Sequence, residues 1–199
     1  MPIVQMTAVD LIGHRTMLTP LELRHIDQLY EAASDPAVWT YMPMRIQTAG
    51  DMLALVTDAL AARQSGHEFP FVIIDQQKGK VVGSTRFLDI SPANRSLEIG
   101  WTWLAPAAWR TSINTEAKYL LLRHCFESLR TIRVQFKTDS RNTRSQQAIE
   151  RIGGVREGVL RRHRILQNGY IRDSVYYSII DQEWPTVKTA LEQRLEQRE

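Results

Sequence analysis

The segment Trp109-Arg110-Thr111-Ser112-Ile113-Asn114 lies between a β-rich run ending near Leu104 and a helical pattern that begins about Thr115. A loop entering a helix N-terminus presents main-chain N–H groups without intrahelical acceptors, and the helix dipole adds partial positive charge. That arrangement binds phosphate. Thr111 and Ser112 are small enough to allow close approach, and Asn114 suits a cap or a left-handed torsion. On local chemistry alone a plain helix cap is the commoner explanation of such a loop. Asn142 and Ser145 are three apart, so a helix there puts them on one face. Asn142 reads either as a binding side chain or as an N-cap, and Ser145 either as a reactive hydroxyl or as a small packing residue. The stretch 141–172 also gathers Arg141, Arg144, Arg151, Arg156, Arg161, Arg162, Arg164 and Arg172. With a net charge of +3 and a pI of about 9.2, the excess is mild. It is either a solvated mixed-charge surface or the lining of an anion site, and the clustering favours the second. No basic run interleaves with aromatics and no recognised motif is present, so nucleic acid is not an expected partner.

These residues need a scaffold. Thr16–Pro20 reads as a first strand and residues 22–33 as a helix with Leu23, Ile26, Leu29 and Tyr30 on one stripe. A second helix runs from Thr48 to about Ser65, with Asp51 placed for a capping box and Gly66 as its stop. Strands follow at Phe69–Asp75, Val81–Ile90 and Arg95–Leu104. In the last, alternation puts Ile99, Trp101 and Trp103 on one face and Glu98, Gly100 and Thr102 on the other. A helix at Thr115–Leu129, a strand at Ile132–Thr138 and a helix at Thr143–Ile152, ended by Gly153-Gly154, come next. Residues 155–180 form a hairpin around Asn168-Gly169. A helix from about Glu183 carries Trp184, Val187, Leu191 and Leu195 on one stripe; it packs on its own domain or on a second subunit, which leaves a homodimer open. The pattern predicts an α+β domain with a mostly antiparallel sheet, and residues 98–138 form a parallel crossover.

Bulk properties agree. At 199 residues, 43% hydrophobic and 24% charged, the chain suits one globular domain spanning 1–199, with the helix from about 183 appended. No apolar run is long enough for a bilayer, and the first residues lack a signal-peptide pattern. The single cysteine, Cys125, gives no internal disulfide and fits a cytoplasmic location; the five histidines are scattered, so no metal site is expected.

The run EIGWTWLAPAAWRTSINTEAKYLLLRHCFE (98–127), followed by NTRSQQAIERIGG (142–154) and by Arg172-Asp173 with Tyr176-Tyr177, resembles the GNAT superfamily of N-acetyltransferases. Within it, the RimJ/RimL ribosomal-protein branch is most similar, over roughly residues 10–184. The resemblance implies a GNAT fold: a mixed, mostly antiparallel central sheet with splayed strands, flanked by helices. It also implies acetyl-CoA as co-substrate. The family's coenzyme loop reads Gln/Arg-x-x-Gly-x-Gly/Ala; here those positions are Trp109, Ser112 and Asn114, without either glycine. Main-chain contacts survive this if the torsions are negative or if Asn114 absorbs a positive one. The likeness implies coenzyme contacts from Arg110, Thr111, Ser112, Ile113 and Asn114. It implies that the main chain of Trp103 and Leu104 lines the pantetheine arm, that Asn142 contacts it, and that Ser145 protonates the leaving thiolate. A tyrosine used later in this helix by many relatives is replaced by about Ile149.

Attack of an amine on a thioester needs a proton acceptor. Glu98 is the expected base, with Trp101 and Trp103 making its surroundings apolar, or else a surface or salt-bridged strand residue. Asp173 is a second carboxylate, able to hold the substrate ammonium; with Glu157 and Glu98 it would make an acidic groove. A carboxylate suggested for RimL-like enzymes on the incoming hairpin strand is Arg164 here. The resemblance also places Trp39, Tyr41, Met42 and Met44 over the acceptor, although core packing explains such residues as well. Arg144, Arg151 and Lys118 are either contacts to the coenzyme's 3′-phosphate or plain exposed cations. Three functions remain in view: acetylation of a protein N-terminal amine such as a ribosomal protein's, acetylation of a small amine (antibiotic, polyamine or amino acid), and non-catalytic acyl-CoA binding.

Overall fold

Local chemistry sets the first boundaries. Thr48 accepts from Asp51 N and Asp51 accepts from Gln47 N and Thr48 N, so the expected capping box forms and starts the helix. Those N–H groups hold the Asp51 carboxyl below its usual range. Residues 8–167 and 169–197 are described by the computed structural model of the protein. In chain order they form β1 (Leu11–Ile12), β2 (Thr16–Pro20), α1 (Ile26–Ala32), α2 (Ala49–Gln64), β3 (Phe69–Asp75), β4 (Lys80–Ser91), β5 (Ser96–Leu104), α3 (Ile113–Arg123), β6 (Arg133–Asp139), α4 (Thr143–Arg151), β7 (Val155–Ile165), β8 (Ile171–Ile180) and α5 (Trp184–Glu196). Short 3₁₀ turns at Leu23–His25, Pro36–Trp39 and Pro106–Ala108 join them, and α3 runs on through a wider π turn at His124–Ser128.

The eight strands make one sheet in the order β1-β2-β3-β4-β5-β6-β8-β7. Every neighbouring pair is antiparallel except β5 and β6. These two are parallel, as the crossover predicts, and pair only over Ser96–Glu98 with Arg133–Gln135. Beyond that, Ile99–Leu104 and Phe136–Asp139 have no ladder between them, so the sheet splits there.

A core lies on each face. Leu97, Ile99, Leu120, Leu121, Phe136 and Tyr177 pack on the α3 side; Leu29, Trp39, Met52, Val56, Val72 and Trp103 pack beneath α1 and α2. Each such side chain contributes about 1.5–3 kcal/mol on burial. The α5 stripe packs on its own domain: Trp184 stacks on Phe126 at 5.4 Å, and Leu191 is buried.

Two expectations about this frame are corrected. Ile99, Trp101 and Trp103 do not share a face. Register runs from Phe87↔Ile99 and Arg86↔Gly100 to Ser84↔Trp103, so β5 carries one extra residue opposite β4. That bulge puts Trp101 at φ 50 and sends Ile99 and Trp103 to opposite cores. Gly83 lies against it: a Cβ there would sit 2.1 Å from Trp103 O. Secondly, α3 starts at Ile113, so Asn114 is inside its first turn. The hairpin forms as expected, with Gly169 at φ 78 donating to Leu166 O; Asn168 lies outside the described residues.

Candidate active site

The split between β5 and β6 opens into a cleft of about 1380 Å³. Pockets for one small ligand are usually ~300–1,000 Å³, so this one has room for two reactants. One end is the loop into α3. Trp109 pins it to β5 by donating from Nε1 to Leu104 O at 2.8 Å, and Arg144 of α4 lies over the same ring at 4.1 Å. Arg110 takes the left-handed torsion, φ 61, whereas Ser112 is αR at φ −70. The residue that absorbs the strain is therefore Arg110, not Asn114, and neither family glycine position needs a glycine. Among the described residues, the N–H groups of Asn114 and Thr115 have no protein acceptor, and both residues line the cleft. Glu116, one position on, does not repel an anion there. It turns the other way and accepts from His14 N at 2.6 Å, Arg15 N at 3.1 Å and Thr16 N at 2.7 Å, tying α3 to the β1–β2 turn.

The cleft's floor on the α3 side is Lys118. It is buried, not an exposed cation, and its Nζ donates to Thr102 Oγ1 at 2.5 Å. Thr102 in turn shares a hydrogen bond of 2.7 Å with Thr85. Burial pushes the Lys118 ammonium down to about 7. Opposite, Asn142 caps α4: its Oδ1 accepts from Ser145 N at 3.0 Å. The capping reading of Asn142 is therefore correct, and it still lines the cleft beside Ser145.

The other face of the split is polar. Glu98 is 2% exposed, and its Oε2 accepts from Lys137 Nζ at 3.0 Å and Gln135 Nε2 at 2.9 Å. The expected apolar surroundings are not what meets the carboxylate: the bulge brings Trp103 to the Glu98 side of the sheet, but its ring packs on Trp39, and the groups at the Glu98 oxygens are Lys137 and Gln135. Trp101 lies under Arg86, 4.5 Å from its ring, and Arg86 pairs with Glu68 at 2.7 Å. Glu98 Oε1 occupies the space left by Gly100, where a Cβ would come within 3.0 Å. Asp139 binds Arg141 through both oxygens, at 3.0 and 2.7 Å. Burial alone would raise the Asp139 carboxyl, but the bonds from Arg141 hold it below its usual range. Arg141 spans the groove, 5.8 Å from the Tyr41 ring and 3.5 Å from the Tyr170 ring.

Of the expected residues, the cleft brings together Glu98, Trp101, Trp103, Leu104, Arg110, Thr111, Asn114, Asn142, Arg144, Ser145, Tyr41 and Met42, along with Arg151. It does not bring Ser112, which starts α3, or Ile113, which is fully buried below it. Met44 is also outside the lining, packed against the α1–α2 core. Trp39 is a core residue, donating to Ala33 O at 2.9 Å and packing on Trp103 at 5.4 Å. Asp173 accepts from Arg162 N at 2.6 Å, and Glu157 pairs with Arg133, so the acidic groove expected from them is not built. Sequence reasoning missed Trp109 as the loop's anchor and the burial of Lys118 in the cleft floor, whereas Arg172 lines the cleft as the arginine cluster allowed. For Lys118 a signal existed: it stands four residues after Asn114, on the same helical face.

A sheet that parts at a parallel pair, with bare helix N–H groups at the mouth, has the form of an acyl-coenzyme site. Residues 15–155 match the family described as Acetyltransferase (GNAT) domain. The chain belongs to the GNAT acetyltransferases. It is 26% identical over 180 residues to the ribosomal-protein-serine acetyltransferase of Escherichia coli K12, covering 88% of this chain and 99% of that one. The crystal structure of a GCN5-related N-acetyltransferase from Brucella melitensis superposes with a TM-score of 0.88 and 29% identity, over 94% of this chain and 85% of that one. Mycobacterium smegmatis RimJ, solved in complex with CoA-disulfide, shares the fold with a TM-score of 0.78 at 23% identity, over 90% of this chain and 88% of that one. The eight-stranded, mostly antiparallel sheet flanked by helices is thus a GNAT fold, and this GNAT chain is an acetyltransferase. Among the described residues no helix is long and apolar enough to cross a membrane.

Proposed function

We propose that this GNAT enzyme moves the acetyl group of acetyl-CoA to the α-amine of a protein N-terminus, as RimJ/RimL-type enzymes do, by direct attack on the thioester. The observation that carries this reading is the split β5–β6 pair ending at the bare first turn of α3. The family uses acetyl-CoA, and the donor set fits it. Asn114 and Thr115, whose N–H groups have no protein acceptor among the described residues, line the cleft together with Arg110 and Arg144, and the parted strands leave a slot beside Trp103, Leu104 and Asn142. Held there, the coenzyme supplies an activated acetyl thioester. The likeness to a ribosomal-protein-serine acetyltransferase over nearly its whole length supports a protein acceptor, and with it a cytoplasmic place of work.

Each residue's role follows from its place. A main-chain N–H of the β5 strand beside the thioester would stabilise the oxyanion charge. Glu98, through Oε1 or a water, takes the proton lost by the attacking amine. Ser145, whose hydroxyl has no hydrogen-bond partner among the described residues, supplies the proton to the departing thiolate. Tyr41 and Met42 cover the acceptor. Binding both reactants in one slot provides the proximity term.

Titration calorimetry with acetyl-CoA tests the coenzyme site, and no heat at millimolar ligand rejects the whole reading. A thiol-release assay with N-terminal peptides and with free amines then tests the acceptor; turnover of free amines alone rejects the protein substrate. Ser145→Ala should lower kcat by about tenfold or more while leaving coenzyme affinity nearly unchanged; an unchanged kcat makes Ser145 a packing residue.

A further inference from the structure

Arg172 of β8 is 8% exposed and lines the cleft on the same polar face as Glu98, Lys137 and Tyr176. Its Nε is enclosed without a hydrogen-bond partner, and no hydrogen bond from its guanidinium to a described residue is formed. Guanidinium carries five donors and stays charged, and proteins seldom bury one without acceptors. Its nearest counter-charge is already used: both oxygens of Asp139 are held by Arg141. Across the hairpin its register partner is another cation of the cleft lining, Arg164. Burial holds the Arg172 guanidinium below its ordinary range; Asp139 pulls the other way, Arg164 adds to the fall and Glu98 opposes it.

The remaining charges of the groove narrow the choice of ligand. Glu98 is paired with Lys137 and Glu68 with Arg86, so among the described residues Asp89 is the cleft carboxylate without an ion pair. A bare polycation would meet Arg172, Arg164 and Lys137 with little to offset them. An acceptor with an amine at one end and a negative group near it would satisfy both sides of the groove. We infer that the acceptor carries a carboxylate close to its amine, and that Arg172, with Arg164 beside it, binds that carboxylate. This rests on the acetyltransferase reading and sharpens it to a substrate class. Two sources offer the same chemistry: an acidic side chain near a protein N-terminus, or the α-carboxylate of a free amino acid.

Binding to the protein saturated with free CoA tests this without turnover. One arm compares the peptide amides Ala-Asp-Ala and Ala-Asn-Ala; the other compares alanine with ethylamine. The acidic member of the pair that represents the true source should bind about tenfold or more tighter than its neutral counterpart. Arg172→Gln should bring that ratio to within about twofold, and Arg172→Lys should restore part of it. Equal binding of acidic and neutral members in both arms overturns the inference, as does a variant that weakens both members by the same factor, since that marks Arg172 as structural. The preceding CoA titration keeps the two failures apart: lost CoA binding rejects the acetyltransferase reading, while intact CoA binding with no acid preference rejects this inference alone.

Discussion

Lys118→Met removes the charged floor of the cleft, and the structure gives its effect a sign and a size. The ammonium is enclosed, donates to one hydroxyl, and has burial as the cause of its fall from 10.5 to about 7. In the unfolded chain the amine keeps its proton up to about 10.5. Between those two values the unfolded state therefore binds more protons than the folded one, and folding stability from this group rises with pH. The slope is about 1.4 kcal/mol per pH unit, which accumulates to about 2 kcal/mol between pH 7 and pH 9. Methionine fills similar volume without a charge, and Thr102 keeps its bond to Thr85. The variant's advantage over the natural chain should thus be largest at or below pH 7 and smaller by about 2 kcal/mol at pH 9. Urea unfolding followed by tryptophan fluorescence at the two pH values reads this directly. An equal stability difference at both would show that water already solvates Lys118, and the reasoning from burial would be wrong.

Three further outcomes follow from other contacts. Glu116→Ala should cost about 3 kcal/mol or more, because it strips the acceptor from three N–H groups of the β1–β2 turn; chemical denaturation checks it, and a loss under 1 kcal/mol would refute the tie. Arg110→Gly should raise stability by about 1 kcal/mol by relieving a left-handed arginine, yet weaken acetyl-CoA binding in calorimetry; unchanged affinity would remove Arg110 from the phosphate site. Glu98→Gln should lower kcat at neutral pH by about a hundredfold and flatten the acid limb of the pH–rate profile, and an unchanged limb excludes Glu98 as the base.

Much of this frame was legible because it is local. Capping at Thr48, the stop at Gly153 and the helix-entry loop each follow from residues within a few positions of one another, and the parallel crossover follows from the order of the elements. The acceptor side was not, because its properties are set across the sheet. Nothing in Gly-Trp-Thr-Trp reports an extra residue relative to β4; it takes the register with Ser84 and Arg86 to reveal it. That one bulge separates Trp103 from Ile99 and sends it into the core beneath α1 and α2, while Lys137 and Gln135 reach the Glu98 carboxylate. Likewise Asp173 and Glu157 look available in the sequence, but β7 and β8 face them to Arg162 N and Arg133.

The missing glycines illustrate the same division between what a motif names and what geometry requires. A glycine in a phosphate loop supplies a positive φ or a close approach, and either need belongs to the path of the chain rather than to a fixed position. Here the path is set by its ends: the Trp109 indole holds the start of the loop to Leu104 O, and Glu116 holds the first turn of α3 to the β1–β2 turn. Between these anchors the required left-handed residue falls at Arg110, which leaves Ser112 and Asn114 in helical torsions, with Asn114 lining the cleft. The strain is carried by a residue whose charge suits the diphosphate, and the anchors are what allow that exchange. Loosening either anchor should therefore cost coenzyme affinity as well as stability, whereas restoring a glycine at Ser112 should gain neither.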